Sequence, residues 1–148
     1  MAIDRGDYHV DSAGTIELAC RHIGLYLWWA AERGLASTAH DPAEVAQGPT
    51  GYFIRICDAK LWDEDFNDEG LAFTKSVYES YLGELSRYAR ELGVDDYQVP
   101  ETAALKDHFS GWLDRKLEIW KASASRTSAR HVPADKAAKL RAAKRKKR

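Results

Sequence analysis

Cysteine, proline and methionine are scarce in this sequence, and no apolar run is long. Of 148 residues, two are cysteine, four are proline and one is methionine. Two cysteines outside any Cys-x-x-Cys motif offer neither a zinc-finger ligand set nor a disulfide framework, so Cys20 and Cys57 are predicted to be core residues. The charged start predicts no secretory signal, and no stretch reaches the roughly 18 apolar residues of a membrane span. These absences predict a cytoplasmic protein without membrane contact.

Catalytic and nucleotide-binding motifs are absent as well. The sequence contains no GxGxxG, GxxxxGK[ST], GxSxG or HExxH pattern. His9, His40 and His108 are scattered along the chain, and the acidic residues between 63 and 69 do not follow calcium-loop spacing. His22 lies in an apolar segment and is predicted to be an interior histidine that bonds a carboxylate. We therefore expect no enzymatic activity, no metal site and no cofactor.

The clearest pattern present is an apolar stripe at helical spacing over residues 16–34. Ser12 or Thr15 can cap the start of this helix, and Gly34 can end it. Three large aromatic residues occupy one turn and are interpreted as core and rim; they are Tyr26, Trp28 and Trp29. A small-molecule pocket beside Trp28, Trp29 and Trp112 is a weaker alternative. The segment predicts the central helix of the fold.

Two further long helices are predicted over residues 71–92 and 102–121, with Asn67 as a cap and Gly93 as a stop for the first. Shorter helical segments are predicted at residues 43–47 and from Pro49. No strand pair is evident. The predicted fold class is all-α: a compact bundle of three long helices plus one or two short helices, followed by a flexible basic C-terminal tail.

Charge divides the chain into two parts. Residues 1–120 contain 22 acidic and 11 basic side chains, a formal charge of −11, whereas residues 121–148 contain 11 basic and one acidic, giving +10; these sum to the whole-chain value of −1. We predict an acidic all-α domain over residues 1–121 and a basic tail over residues 122–148, disordered at first and able to form a helix on a partner over 134–148. An acidic body repels nucleic acid, so nucleic acid could bind only through this tail.

Six of the twelve residues in the segment 58–69, written DAKLWDEDFNDE, are acidic. We name this segment the acidic connector. Carboxylates beside aromatic residues offer a basic partner both charge and an anchor. The alternative is a solvated acidic turn that caps the next helix. The predicted partner-binding residues are Trp62, Asp63, Glu64, Asp65 and Asp68.

Several segments together resemble a family of small bacterial proteins associated with toxin immunity. They are DYHVD from Asp7, HIGLYLWWAAERGL from His22, CDAKLWDEDFNDEGLAFTKSVYES from Cys57, YLGEL from Tyr81 and LDRKLEIW from Leu113. The resemblance covers about residues 7–120. Two features depart from it: Ala59 stands where glycine is expected, and the basic tail is peculiar to this chain.

The resemblance implies a small all-α immunity protein that protects a cell from a polymorphic or type VI-secreted toxin. Such proteins bind the toxin domain in the cytosol and occlude its active site, with no catalysis of their own. The partner implied is therefore a cognate toxin or effector domain. A protein associated with nucleic acid through the basic tail is the alternative, and neither oligomeric state nor the role of the tail follows from the sequence.

Overall fold

The computed structural model of the protein describes residues 2–130, with side chains described through residue 125. This part of the chain is mostly helical and contains three long helices, which confirms the predicted fold class. The regular elements, in order, are β1 Ala2–Arg5, α1 Val10–Ala13, α2 Ile16–Glu32, α3 Pro42–Ala46, α4 Pro49–Ile56, β2 Lys60–Trp62, α5 Asp68–Leu92 and α6 Ala103–Arg130. Short 3₁₀ helices occur at Gly6–Tyr8, Asp63–Asp65 and Asp96–Gln98.

Helix α2 lies at the centre of the core, as predicted. Its start is capped by Thr15, whose hydroxyl oxygen accepts a hydrogen bond from the N–H of Leu18 at 3.2 Å, and Gly34 follows its end with φ of +69°. Most of its side chains are buried, Trp29 among them at 1% exposure. Trp28 is half-buried, with the ammonium group of Lys106 5.3 Å from its ring centre. The core-and-rim interpretation of this aromatic turn is confirmed.

Aromatic rings connect the three long helices. The ring of Tyr26 on α2 lies 5.2 Å from the rings of both Tyr78 and Tyr81 on α5, and the Tyr81 ring lies 5.5 Å from that of Phe109 on α6. Pairs of this kind contribute about 0.5–1.5 kcal/mol each beyond the burial of their area. The Tyr26 hydroxyl lies 2.8 Å from the Thr74 hydroxyl, so this polar group is satisfied inside the core.

Two glycines permit close approaches of backbone. A Cβ atom at Gly24 would lie 2.8 Å from the carbonyl oxygen of Pro49, so α2 and α4 cross in close contact. A Cβ atom at Gly70 would overlap the carbonyl oxygen of Leu35, at the point where α5 starts. Gly83 makes no such approach, because no atom lies within 4 Å of a Cβ placed there, and α5 passes through it unbroken.

The strands β1 and β2 form a two-stranded antiparallel sheet that the sequence analysis missed. Asp4 pairs with Leu61 and Arg5 with Lys60, with an irregularity in the ladder between residues 2 and 4. Each strand has four residues or fewer. Strands this short lack a readable alternation of apolar and polar residues, and their pairing joins distant parts of the chain.

The prediction that Cys57 is a core residue is corrected. Ile56, which precedes it at the end of α4, is 52% exposed. Cys57 caps the end of α4 and is only partly buried, whereas Cys20 is fully buried as predicted. Tyr97 and Gln98 lie in the 3₁₀ helix Asp96–Gln98, and Val99 directly after it is extended.

Helix α6 is longer than predicted. It continues from the expected end at Lys121 to Arg130, so residues 122–130, expected to be disordered, are helical. Alanine and arginine favour helix locally, whereas the absence of large apolar residues reports only on core packing. The compact unit formed by the first part of the chain ends at Leu113, inside this continuous helix. The domain boundary at residue 121 stays a prediction, and the predictions for residues 134–148 lie outside the described residues.

Among residues 2–130, no helix has both the length and the apolarity needed to cross a membrane.

Candidate functional site

The acidic connector is tied to the loop that follows α2. The Ser37 N–H donates to the carbonyl oxygen of Asp65 at 2.8 Å, and the Asn67 N–H donates to that of Leu35 at 3.1 Å. The Asn67 side chain also caps α5, as predicted. Because β2 pairs with β1 on the other side, the connector backbone is fixed at both ends.

Four of the five predicted partner-binding residues lie at the surface of the connector. Trp62 ends β2 and is 37% exposed. Glu64 and Asp68 are exposed, and Asp63 is half-buried. We name Trp62, Asp63, Glu64 and Asp68 the acidic face. Asp65 differs from them, because its side chain is only 15% exposed and its oxygens bond other parts of the protein.

Asp65 lies at one end of a hydrogen-bonded chain that we name the Asp65 network. Its Oδ2 accepts the N–H of Trp62 at 2.7 Å, and its Oδ1 lies 2.8 Å from Nε2 of His40. The Nδ1 atom of His40 lies 2.6 Å from the hydroxyl of Tyr52. Since an ionised carboxylate only accepts, Nε2 carries a proton and donates to Asp65. Tyr52 and His40 are both buried, so this chain is largely protected from water.

Cys57 lies beside the Asp65 network. One donor atom each of His40, Cys57 and Asp65 lie within 4.8 Å of one another. Burial raises the pKa of the Cys57 thiol to about 12, and the negative charge of Asp65 adds to the effect. A nucleophilic cysteine needs a lowered pKa and a base on its sulfur. The thiol is protonated at neutral pH, so this trio is not an activated Cys–His pair.

The turn directly after Cys57 has unusual backbone angles. Asp58 and Ala59 have φ of 53° and 55°, in the left-handed region that favours glycine. The turn is held in place because Ala59 donates to the carbonyl oxygen of Phe53 at 3.1 Å and accepts from the N–H of Gly6 at 2.8 Å. Glycine is what the resemblance leads one to expect at residue 59, and the observed backbone gives the physical reason.

A second network surrounds Asp4 of β1, which is 5% exposed. Its Oδ1 accepts from the N–H of Arg5 at 2.8 Å and from Nε2 of His9 at 2.7 Å. Its Oδ2 accepts from Nε2 of His22 at 3.2 Å and from the hydroxyl of Tyr78 at 2.7 Å. We name this group the Asp4 network. All the lone-pair positions of its carboxylate are used by donors from within the protein.

Opposing effects act on the pKa of Asp4. Burial alone raises it, but hydrogen bonds from His22, His9 and Tyr78 and the charge of His22 outweigh burial and hold it well below its ordinary value. Tyr97 extends the network, because its hydroxyl lies 2.6 Å from Nδ1 of His9. A cleft of about 160 Å³ lies beside it, lined by His9, His22, Leu82, Leu85, Ser86, Asp96 and Tyr97.

Every histidine in the described part of the chain has a carboxylate partner. His9 and His22 bond Asp4 and His40 bonds Asp65, as described above, while Nε2 of His108 lies 2.7 Å from the Glu84 carboxylate. The prediction that His22 is an interior, carboxylate-bonded histidine is confirmed. The grouping of His40 with Cys57 and Asp65 was missed, because these residues come from a loop, a helix end and a 3₁₀ helix and share no local pattern.

Comparison with known proteins gives one positive result. A protein-family model matches residues 2–103; the match starts before the range of the resemblance to immunity proteins, about residues 7–120, and ends before that range does. That family's description carries no activity or partner, so toxin immunity belongs to the proposals below. No curated protein and no solved structure matches the chain. Since the match covers more than half of the sequence, the chain belongs to the family described as a domain of unknown function (DUF7832).

Proposed function

We propose that this protein is an immunity protein that binds a cognate bacterial toxin or effector domain in the cytoplasm and occludes its active site. It acts by binding and has no catalytic step of its own. The observation that carries the proposal is the acidic face: Trp62, Glu64 and Asp68 are exposed on a backbone fixed by β1 and by the loop after α2. The sequence resemblance supplies the class of partner.

The chemistry of the acidic face suits a basic partner surface. Carboxylates on a rigid backbone steer an oppositely charged protein toward the site and raise its association rate. A partly exposed tryptophan offers large apolar area with few rotatable bonds, which is typical of interface anchors. Toxin domains that act on nucleic acids or nucleotides need basic clefts for their substrates. An acidic protein can cover such a cleft in place of the substrate.

We propose that Asp65 positions Trp62 and does not itself contact the partner. Its Oδ2 accepts the N–H of Trp62, and its Oδ1 accepts from His40. The bond at Oδ1 fixes the Asp65 side chain, and the bond at Oδ2 then fixes the backbone of Trp62, the proposed anchor. A change at Asp65 would act on the partner through Trp62, whereas changes at Glu64 or Asp68 would act directly.

The interface is tested by charge reversal. We expect the double variant Glu64→Lys, Asp68→Lys to associate with the toxin domain at least about tenfold more slowly at low salt than the unchanged protein. The matched control is Glu79→Lys, Asp107→Lys, which makes the same charge change at exposed positions on α5 and α6. Equal association rates for the two double variants, measured by stopped-flow or surface plasmon resonance, would remove the acidic face from the interface.

The function itself is tested by protection. The candidate toxin domain is sought in the gene next to that of this protein and is expressed in a sensitive host, with and without the protein. Immunity requires that growth is restored and that the two proteins form a stable complex on mixing. A neighbouring gene product that is not toxic, or toxicity unaffected by this protein, would refute immunity regardless of the interface.

The charge division of the sequence favours a second function, association with nucleic acid through the basic tail. Residues 121–148 carry a formal charge of +10. Such a segment binds phosphates with a strong dependence on salt. A gel shift at low salt that disappears on deletion of residues 134–148 would support this function, and no shift with the intact chain would exclude it.

A further inference from the structure

We propose that His40, Cys57 and Asp65 form a binding site for one divalent transition-metal ion, with Zn²⁺ the best fit. The proposal goes beyond partner binding and does not depend on it. It rests on three donor atoms of different chemistry that three separate elements bring within 4.8 Å of one another. A nitrogen, a sulfur and an oxygen donor together are a ligand set that zinc accepts.

The distances agree with a site that closes on an ion. With bonds of about 2.0–2.3 Å, a tetrahedral zinc site holds its donor atoms about 3.3–3.8 Å apart. The widest separation in the cluster is 4.8 Å or less, so shifts of about 1 Å in the side chains suffice. The 2.8 Å contact between His40 and Asp65 would open by about half an ångström to admit the ion between them.

Neighbouring groups already orient the nitrogen ligand from His40 and the oxygen ligand from Asp65. Tyr52 lies at Nδ1 of His40, so Nε2 is the atom presented to the cluster. An ion at Nε2 takes up the lone pair there, so the ring proton moves from Nε2 to Nδ1 and is donated to the Tyr52 hydroxyl oxygen. The N–H of Trp62 occupies Oδ2 of Asp65, which leaves Oδ1 on the same side. Metal ligands in proteins are commonly held by such outer hydrogen bonds, which fix the ring tautomer and the direction of the carboxylate.

The third ligand comes from the turn at Cys57. The left-handed angles at Asp58 and Ala59 turn the chain immediately after the cysteine. Such angles cost energy in residues other than glycine and persist only where surrounding contacts fix them. The thiol has no hydrogen-bond partner among the described residues. A bound cation would supply the interaction that this partly buried sulfur lacks, with loss of its proton.

The other cluster of donor atoms provides the contrast that selects this site. Asp4, His9 and His22 also lie within 4.8 Å of one another. However, the Asp4 carboxylate already accepts four hydrogen bonds, and an ion there would break several of them. The cluster around Cys57 loses one hydrogen bond, between His40 and Asp65, and gains three metal–ligand bonds.

Three protein ligands leave one coordination position for water or for a partner's side chain. The ion would also join the loop after α2, the end of α4 and the acidic connector at a single point. We expect it to stabilise the fold, because an ion that binds only the folded chain shifts the unfolding equilibrium.

Titration of the full chain with Co²⁺, which replaces zinc in tetrahedral sites and absorbs light, tests the proposal. One Co²⁺ per chain should bind, with visible absorption and a near-ultraviolet thiolate-to-cobalt band, and Zn²⁺ should displace it. Cys57→Ser should abolish the thiolate band. Cys20→Ala, the matched control at the other cysteine, should keep it. Binding without a thiolate band, or a band that Cys57→Ser leaves unchanged, would overturn the proposal.

A second measurement uses the unchanged protein and so does not depend on the folding of a variant. Zn²⁺ should slow alkylation of Cys57 by iodoacetamide by about tenfold or more, because the metal-bound sulfur is no longer free to react. Peptide mass spectrometry distinguishes Cys57 from Cys20, and Mg²⁺ at the same concentration is the control. Alkylation of Cys57 at equal rates with Zn²⁺ and Mg²⁺ would also overturn the proposal.

Discussion

The two Asp–His–Tyr networks of this protein share their chemistry and differ in how fully the aspartate is buried and hydrogen-bonded. In each, a tyrosine hydroxyl lies 2.6 Å from Nδ1 of a histidine whose Nε2 bonds an aspartate, at 2.7 Å in the Asp4 network and 2.8 Å in the Asp65 network. Asp4 is 5% exposed and accepts four hydrogen bonds. Asp65 is more exposed and accepts two, and the Cys57 thiol beside it has no hydrogen-bond partner among residues 2–130.

This difference indicates which network stabilises the fold and which one can bind a further group. A buried charge with every lone pair occupied ties β1, α2 and α5 together and has no capacity left for a ligand. A network with an unbonded donor near the surface can accept an additional group. The first arrangement therefore indicates a structural role, and the second indicates a site.

The largest expected effect is on stability, from removal of each aspartate charge. Asp4→Asn should lower the free energy of unfolding by about 3 kcal/mol or more, because several buried donors lose an ionised acceptor. Asp65→Asn should cost about 1–2 kcal/mol, since its network is smaller and partly hydrated. Asp7→Asn, which changes only an exposed pair with Arg5, should stay within about 0.5 kcal/mol. Urea denaturation at pH 7 measures all three, and equal losses at Asp4 and Asp65 would refute the distinction.

The second prediction concerns acid. The pKa of Asp4 in the fold lies well below its ordinary value of 3.8. Its ionised form therefore stabilises the protein fully above that value, and the stabilisation is lost as the pH falls below it. The loss of unfolding free energy caused by Asp4→Asn should consequently be smaller at pH 3 than at pH 7. The contribution of the ionised carboxylate falls by about 1.4 kcal/mol for each pH unit below its ordinary pKa.

Comparison of the variant with the unchanged protein at each pH removes the titration of groups that do not contact Asp4; His9 and His22 do contact it, so the comparison is made between pH 4.5 and pH 3 as well as from pH 7. The chief group without such a contact is Glu84, whose pKa is lowered to about 2 by hydrogen bonds from Arg87 and then His108, against burial. It is present in both proteins and cancels. A cost of Asp4→Asn that is the same at pH 7 and pH 3 would show that Asp4 is not ionised in the fold.

The third prediction concerns the turn after Cys57. Ala59→Gly should raise the free energy of unfolding by about 1 kcal/mol, because glycine adopts the left-handed conformation without strain. The same substitution at the exposed, helical Ala72 should lower it by about 1 kcal/mol. Thermal or urea unfolding compares the two. Destabilisation by both variants would contradict the strain at Ala59.

The smallest expected difference between two variants is the one between the tyrosine hydroxyls of the two networks. Tyr52→Phe removes the hydrogen bond to buried His40 and should cost about 1–1.5 kcal/mol, whereas Tyr97→Phe, in a more exposed position beside the cleft, should cost about 0.5 kcal/mol. The order of the two, measured by urea denaturation, is the test. A larger cost at Tyr97 would mean that the outer end of the Asp4 network is better protected than its exposure indicates.

Helix positions could be predicted from the sequence because their signals are local. The apolar spacing over residues 16–34, the cap at Thr15, the stop at Gly34 and the cap at Asn67 all act within one or two turns of chain. Errors occurred where the signal was weak or came from distant residues. The strands β1 and β2 are too short to show alternation, and α6 continues past Lys121 through residues that carry no apolar stripe.

The candidate site was predictable only in part. Charge and aromatic content pointed to the acidic connector, and Trp62, Glu64 and Asp68 are exposed there. The inward direction of Asp65 depends on His40, which lies 25 residues earlier in the chain. No spacing rule relates the two positions, because the loop, the end of α4 and the connector meet only after the core has formed.

The sequence by itself determined the helical class of the fold, its long helices and its unequal distribution of charge, since these follow from local periodicity and composition. Tertiary structure alone decided which carboxylates became structural and which stayed at the surface. The reason is physical: an aspartate is kept inside only where donors from distant segments surround it, as His9, His22 and Tyr78 surround Asp4. The residues next to Asp4 in the sequence do not indicate that donors from distant segments will surround it.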